Sequence, residues 1–241
     1  MKWSNLILST SLVAALAGIF CSNVLMKKEY NRLDKSDKYW NYTKLTDKPF
    51  RHIRITGGNV SNIVYEQTSH NAVKVLRAWH GSEDGTVKAE VTKDTLQITF
   101  LNQYKDLYEK YWLKDAVTVR ITGPVVESIS GSDTKVSMNK FNQPSLKVNL
   151  TGNSKLIVSS YRNNFDKIDV SQADSSVTTF TMSNETFTPD IISIREANVT
   201  GRGVSLLNLR SSSVQQLNLD MSDSASVALS GYTLDKWSGK K

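Results

Sequence analysis

The chain has 241 residues, of which 39% are hydrophobic and 22% are charged, a composition typical of globular domains. With only 4 Pro, 12 Gly and a single Cys, it excludes a collagen-like fibre, a disordered low-complexity chain and a disulfide framework. The net charge is +7, and more than half of this excess lies in residues 1–49, which carry 8 Lys and Arg against 4 Asp and Glu. The remainder has no basic stripe and no zinc-finger spacing, so we expect no nucleic-acid partner.

The first predicted element is an apolar helix. The uncharged run Leu6 to Met26 lies between Lys2 and the pair Lys27-Lys28. At about 1.5 Å per residue, this run is just long enough to cross a bilayer. We therefore predict a membrane anchor over residues 1–28.

Two other interpretations of this segment stay open. The sequence Ala15-Leu16-Ala17 is a small-x-small site of the kind at which a secretory signal is cleaved. Cys21 is the candidate lipidated residue of a lipoprotein signal, although Ile19-Phe20 before it differs from the small residues of such sites. We rank the uncleaved anchor first, the cleaved signal second and the lipid anchor third.

The orientation of this anchor has conflicting signals. More basic residues follow the run than precede it, and the positive-inside rule alone places the C-terminal part in the cytoplasm. A β-rich repeat domain behind a secretory-type segment more often faces outward. We predict a domain that faces the periplasm or the exterior, with the cytoplasmic orientation as the alternative.

After a polar and aromatic juxtamembrane linker at residues 29–49, the pattern changes to strands. Apolar and polar residues alternate from Phe50 onward, with β-branched residues and Gly or Asn turns between the alternating stretches. The two stretches around the Thr92-Lys93-Asp94 turn are a hairpin or two consecutive repeats. We assign residues 50–241 to one β domain, with N-terminal rungs and an aromatic cap at 50–116 and regular repeats at 117–241.

The repeats follow a strand, polar bend, strand order roughly every 20 to 25 residues, too short for one unit to bury a core alone. Neighbouring units must stack, which predicts an all-β solenoid behind one N-terminal transmembrane helix. Two inward apolar columns are expected. They are Ile129, Leu150, Val170, Ile194 and Leu219 before the bends, and Val136, Leu156, Val177, Val204 and Val227 after them.

Three stretches together resemble the head GIN domain family of autotransporter adhesins: FRHIRITGGNVSNIVY at 50–65, VTVRITGP at 117–124, and stacked units such as ESISGSDTKVSM. The resemblance covers about residues 50–229. It implies a right-handed parallel β-helix and a single-span envelope protein, and it implies no reaction. The chain departs from the family in its divergent units after Thr181, and no autotransporter barrel is visible in the sequence.

Three acidic residues recur near the bends, Asp133, Asp174 and Asp223. Paired carboxylates are what glycoside cleavage needs. Asp, Asn, Ser and Gly also accept tight bends and hydrogen-bond the local main chain, and Asn153 replaces the acid in the intervening unit. We favour the structural interpretation and predict no catalytic, cofactor-binding or metal-binding residue.

The densest aromatic stretch of the chain supplies the candidate ligand contacts. Exposed Tyr and Trp side chains stack on sugars and dominate protein interfaces. An N-terminal cap over the first repeat is the favoured alternative for the same side chains. The candidates are Trp79, Tyr104, Tyr108, Tyr111 and Trp112.

These observations predict a non-enzymatic, envelope-anchored module, adhesin-like or a scaffold, that presents a polar face to a protein or a glycan. Its expected partners are the membrane, through one N-terminal span, and an envelope protein or glycan. The alternative function is a polysaccharide-active β-helix enzyme, a lyase or glycosidase, that uses acids from adjacent repeats.

Overall fold

The structure is a computed structural model that divides into two compact units, Met1–Asn41 and Tyr42–Lys241. The residues that the structure describes are 3–32, 36–37, 39–80, 87–101, 117–160, 164–182 and 191–237.

The first unit contains one long helix, α1, at Trp3–Arg32. Its segment Asn5–Arg32 has a mean hydropathy of 1.8 and is long and apolar enough to cross a membrane. The large apolar side chains that the structure describes in this helix are exposed, which is compatible with an anchor. A signal sequence shares this length and composition, so the anchor and the cleaved signal both stay predictions.

The second unit is built from strands. Its described residues also include two short helices, α2 at Arg77–His80 and α3 at Gly231–Trp237. The strands before Gly123 are β1 Tyr42–Thr46, β2 His52–Thr56, β3 Asn62–Gln67, β4 Ala72–Leu76, β5 Val87–Thr92, β6 Thr95–Phe100 and β7 Val117–Gly123. Those that follow are β8 Ser128–Ser132, β9 Lys135–Asn139, β10 Ser145–Thr151, β11 Lys155–Ser160, β12 Asn164–Gln172, β13 Val177–Met182, β14 Ile192–Gly201, β15 Leu206–Leu209, β16 Ser212–Met221 and β17 Ser226–Leu229.

These strands form two mixed sheets. The nine-stranded sheet has the order β1-β4-β7-β3-β9-β11-β13-β15-β17, and the eight-stranded sheet has the order β16-β14-β12-β10-β8-β2-β6-β5. Pairing is parallel through most of both sheets, but β1–β4, β4–β7 and β5–β6 are antiparallel.

The prediction of a simple right-handed parallel β-helix is therefore wrong. Lys93 has a φ of 51° in a tight turn at which the chain reverses, and β6 returns antiparallel beside β5 as a hairpin. Of the two interpretations of this stretch, the hairpin is the one observed. At the corresponding end of the nine-stranded sheet, β4 lies antiparallel between β1 and β7. A regular repeat cannot describe these strands, because parallel rungs need a crossover connection between successive neighbours.

The inward side chains form one core, but the predicted columns are only partly correct. Ile129, Val170 and the intervening Val148 share one register position and are buried. Leu150 and Ile194 are also buried, but they lie at other register positions. The column ends at Leu219, which is 44% exposed on the edge strand β16.

The second column slips by one residue in its third unit. Thr178, not Val177, is in register with Leu156 and is fully buried. Val204 lies in a turn beside Gly203 and is 72% exposed, so its predicted core position is wrong. Side chains alternate between the two faces of a strand, and a shift of one residue therefore exchanges the inward and outward sets.

Candidate functional site

The acidic residues at the bends bind the backbone of a neighbouring bend. Asp133 and Asp174 have φ angles of 52° and 61°, in the left-handed region that Asp tolerates better than most side chains. Asn153 donates its backbone N–H to Asp133 Oδ1 at 2.9 Å, and Gly152 donates its own to Asp174 Oδ2 at 2.9 Å. The bend that lacks an acid is thus held by the acids on both sides of it.

This geometry explains why Gly152 occupies the middle bend. Its φ is 65°, and a Cβ at this position would lie 2.5 Å from Asp133 Oδ1. Asp223, the third acid, is exposed at the last bend. The contacts of Asp133 and Asp174 support the structural interpretation of the acids, since a carboxylate that accepts a backbone N–H stabilises the turn.

The outer surface of the eight-stranded sheet is a continuous polar face. We define the polar face as two rows of side chains that cross seven strands in register. The first row is Thr95, His52, Ser128, Lys147, Asp169, Asn198 and Asn218. The second row is Gln97, Arg54, Ser130, Asn149, Ser171, Thr200 and Asp220. None of these side chains is buried, and adjacent strands place them about 4.8 Å apart.

Hydrogen bonds between strands order part of this face. Asn218 Nδ2 donates to Asn198 Oδ1 at 2.7 Å, and Asn198 Nδ2 donates to Asp169 Oδ1 at 2.8 Å and to Glu196 Oε1 at 2.8 Å. Lys167 Nζ lies 3.5 Å from Glu196 Oε1. The hydrogen bond from Asn198 and the nearby charge of Lys167 lower the pKa of Glu196. These side chains are therefore partly preorganised before any partner binds.

One end of the polar face carries a second ordered pair. Arg202 Nη2 donates to Asp220 Oδ2 at 2.6 Å, and its Nη1 donates to the Asp220 carbonyl at 2.8 Å. The guanidinium lowers the pKa of the Asp220 carboxyl. This bidentate contact joins the bend after β14 to the edge strand β16.

A Ser, a His and an acid meet at the other side of the face. Ser128 Oγ lies 2.9 Å from His52 Nδ1, and Glu127 Oε2 lies 4.0 Å from His52 Nε2. A nucleophile triad uses these residue types, but 4.0 Å is too long for a hydrogen bond. The side chains of His52 and Glu127 are also 40% and 49% exposed. The trio is best described as a cross-strand polar contact.

A groove of about 550 Å³ lies beside this trio, where connections between strands come together. Its apolar wall consists of Pro49, Phe50, Pro124 and Val125, and Val125 is 44% exposed. Such a volume is in the range of small-molecule sites. We call it the seam groove.

Four polar residues complete the seam groove: Arg51, Asn71, Asp94 and Glu127. Arg51 Nη1 donates to Glu127 Oε1 at 3.2 Å. The carbonyl of Asp94 accepts the backbone N–H groups of Arg51 and His52, at 2.9 and 3.0 Å, and fixes the β5–β6 turn against β2. Asn71 Oδ1 is buried and accepts no hydrogen bond from the described residues.

Sequence reasoning missed the seam groove because its residues come from four separate connections. The Gly-Pro at residues 123–124 was the only local signal, since it marks a break after β7. A Cβ at Gly123 would lie 3.0 Å from Asn71 Oδ1. Gly123 therefore leaves room for the Asn71 side chain.

The predicted aromatic platform is described only at one residue. Trp79 is 1% exposed and packs edge-on against Phe100, with ring centroids 6.1 Å apart. Trp79 is therefore part of the hydrophobic core. This position agrees with the cap interpretation better than with an exposed ligand contact. Tyr104, Tyr108, Tyr111 and Trp112 lie outside the described residues, so their role in ligand binding stays a prediction. Among the residues described, no cluster of three or more His, Cys, Asp and Glu residues is arranged to hold a metal ion.

No family model matches the chain, and no curated protein matches it. Among solved structures, it is similar to a candidate adhesin from Bacteroides fragilis, at 14% identity and a TM-score of 0.42 over 78% of this chain and 95% of that one. A candidate lipid-binding protein from Parabacteroides distasonis has 14% identity and a TM-score of 0.36 over 79% and 94% of the two chains. A candidate cell-adhesion protein from Clostridium sporogenes has 12% identity and a TM-score of 0.37 over 75% and 98%. TM-scores below 0.5 carry no argument about this chain, and its membership of the head GIN family stays a proposal.

Proposed function

We propose that this chain is a non-enzymatic, envelope-anchored binding module, adhesin-like or a scaffold, that presents its polar face to a protein or a glycan. The observation that carries the proposal is the polar face itself, two rows of polar side chains in register across seven strands. A monomer needs polar residues on an exposed sheet, but it does not need them hydrogen-bonded into a row from Asp169 to Asn218.

Preorganisation is the physical reason that such a row favours binding. Ordering a long polar side chain on association costs about 0.5–1.5 kcal/mol. Side chains that already hold one another in place lose less freedom when a partner arrives. The face carries two cations and two anions besides His52, which suits a polar, uncharged partner surface.

The bends support the same proposal. The carboxylates of Asp133 and Asp174 each accept a hydrogen bond from the backbone of the neighbouring bend. They are therefore poorly placed to act as an acid and a base on a substrate.

The first test is the membrane topology of the full chain. We expect protease added to spheroplasts to digest the β domain, while mass analysis of the protein finds the N-terminal segment still attached. A β domain that stays protected in intact spheroplasts and is digested only after lysis would overturn the outward orientation. A shortened mature chain would replace the anchor with a cleaved signal.

The second test addresses the face. Cells that display the full chain are expected to adhere to a surface coated with an uncharged polysaccharide, such as dextran, better than cells without it. Replacing Asn149 and Ser171 together by Lys places two charges in the middle of the polar face and is expected to abolish that gain. Asn139→Lys, an exposed change on the nine-stranded sheet, is the matched control. Equal adherence of the unmodified chain and both variants would contradict binding through this face.

A further inference from the structure

We propose that the seam groove binds a neutral, hydroxyl-rich sugar ring. This inference rests on the proposed function, since it makes the glycan alternative specific and gives it a second site beside the polar face. The groove is a cavity of about 550 Å³, lined by four apolar residues and by the polar residues Arg51, Asn71, Asp94 and Glu127.

The acidic groups determine the ligand chemistry. Asp94 is exposed at the β5–β6 turn, and its carboxylate only accepts hydrogen bonds. Glu127 adds a second carboxylate, which is 49% exposed and accepts one N–H from Arg51 at 3.2 Å. The ligand must therefore supply hydrogen-bond donors.

The charges of the groove lining disfavour both anionic and cationic ligands. Asp94 and Glu127 together outnumber the single cation, Arg51, which disfavours phosphates, sulfates and uronic acids. An ammonium ligand would satisfy the acceptors, but it would meet the guanidinium of Arg51. Arg51 uses one N–H on Glu127 at 3.2 Å and keeps others to donate. A neutral polyol fits both sets, because each hydroxyl donates and accepts.

The apolar wall fits the same ligand. A pyranose ring has polar hydroxyls around its edge and C–H groups on its faces. The C–H face of such a ring can pack on the apolar side chains of Pro49, Pro124 and Val125, the last of which is 44% exposed. Burial of these side chains against a ring supplies the apolar part of the affinity, and the acceptors fix its orientation.

Saturation-transfer NMR on the full chain tests the inference. The chain is placed in phospholipid nanodiscs, because glycoside detergents would compete for the site. The neutral probes are glucose, galactose, mannose and N-acetylglucosamine, and the charged probes are glucuronate and glucosamine. We expect transfer to at least one neutral sugar and weaker transfer to both charged ones.

Variants locate the site. Val125→Trp fills the groove and is expected to abolish transfer, while Val204→Trp, on an exposed turn, leaves it unchanged. Asp94→Asn keeps the backbone carbonyl that holds the turn and is expected to weaken binding about tenfold, since hydrogen bonds to charged groups are the stronger ones. Thermal unfolding of each variant shows whether it is folded.

The possible results distinguish failure of the sugar site from failure of the proposed function. Absence of transfer to every neutral sugar, equal transfer in Val125→Trp, or stronger binding of a charged probe would each overturn the sugar site. None of these results bears on the topology or adherence tests, so the groove can fail while the proposed function stands. Protection of the β domain inside spheroplasts would instead remove the proposed function without changing the NMR result.

Discussion

At the scale of single residues, the bends are set by backbone conformation. Asp133, Gly152, Asp174 and Gly203 occupy successive bends, and all four have positive φ angles between 52° and 65°. Left-handed backbone is unfavourable for most side chains, and Gly, Asn and Asp accept it most readily. The carboxylates of two of these residues then hold the bend between them. The acids that first invite an enzymatic interpretation are therefore explained by the turn.

Gly152→Ala tests this account. A Cβ would meet Asp133 Oδ1 at 2.5 Å in a left-handed backbone, so we expect a loss of about 1–3 kcal/mol in the free energy of unfolding. Gly231→Ala is the control, because no atom lies within 4 Å of a Cβ there and the change should stay within about 0.5 kcal/mol. Urea unfolding of both variants makes the comparison. Equal stability of the two would show that the middle bend is not constrained.

At the scale of elements, burial along one sheet depends on the position of the strand. Leu150 lies in β10, within the eight-stranded sheet, and is 1% exposed. Leu219 lies in β16, the edge strand, and is 44% exposed although the same alternation contains it. Among the described residues, β16 is the last strand at this end of the sheet, so Leu219 has a packed strand on one side only.

Leucine truncation measures that difference. We expect Leu150→Ala to lower the free energy of unfolding by about 2–5 kcal/mol, because it leaves a cavity between packed strands. Leu219→Ala should cost about 1 kcal/mol, since much of this side chain already contacts water. The two variants are compared by denaturant midpoint. An equal loss would mean that Leu219 is covered in solution by something other than this chain's own core.

At the scale of the whole molecule, several carboxylates at the protein surface are held by cations or amides. The pKa values of Asp47, Glu196 and Asp220 are lowered, mainly by hydrogen bonds from Lys44, Asn198 and Arg202 respectively. A lowered pKa in the folded state means that the charged form stabilises the fold. That contribution is complete above the ordinary pKa of each group and is lost as the pH falls through its lowered value.

The predicted result is a thermal midpoint that falls on acidification below about pH 4.5, the ordinary value for Glu. Glu196→Gln removes one of these titrating groups, so its midpoint should fall less steeply than that of the parent chain over the same range. Added salt should reduce the difference, because these groups lie at the protein surface, where ions screen their interactions. A variant that is as acid-sensitive as the parent would refute a role for Glu196.

The sequence by itself determined the local chemistry of this protein. Alternation of apolar and polar residues predicted strands from Phe50 onward, and small polar residues predicted the bends, because both depend on neighbours within a few residues. The apolar run before Lys27 predicted the helix for the same reason. Tertiary structure alone decided which strands pair. The antiparallel β4 and β5, the one-residue slip at Thr178 and the exposed Val204 depend on turn geometry and on partners distant in the sequence. The seam groove is decided at that level too, since its walls come from connections that no local pattern brings together.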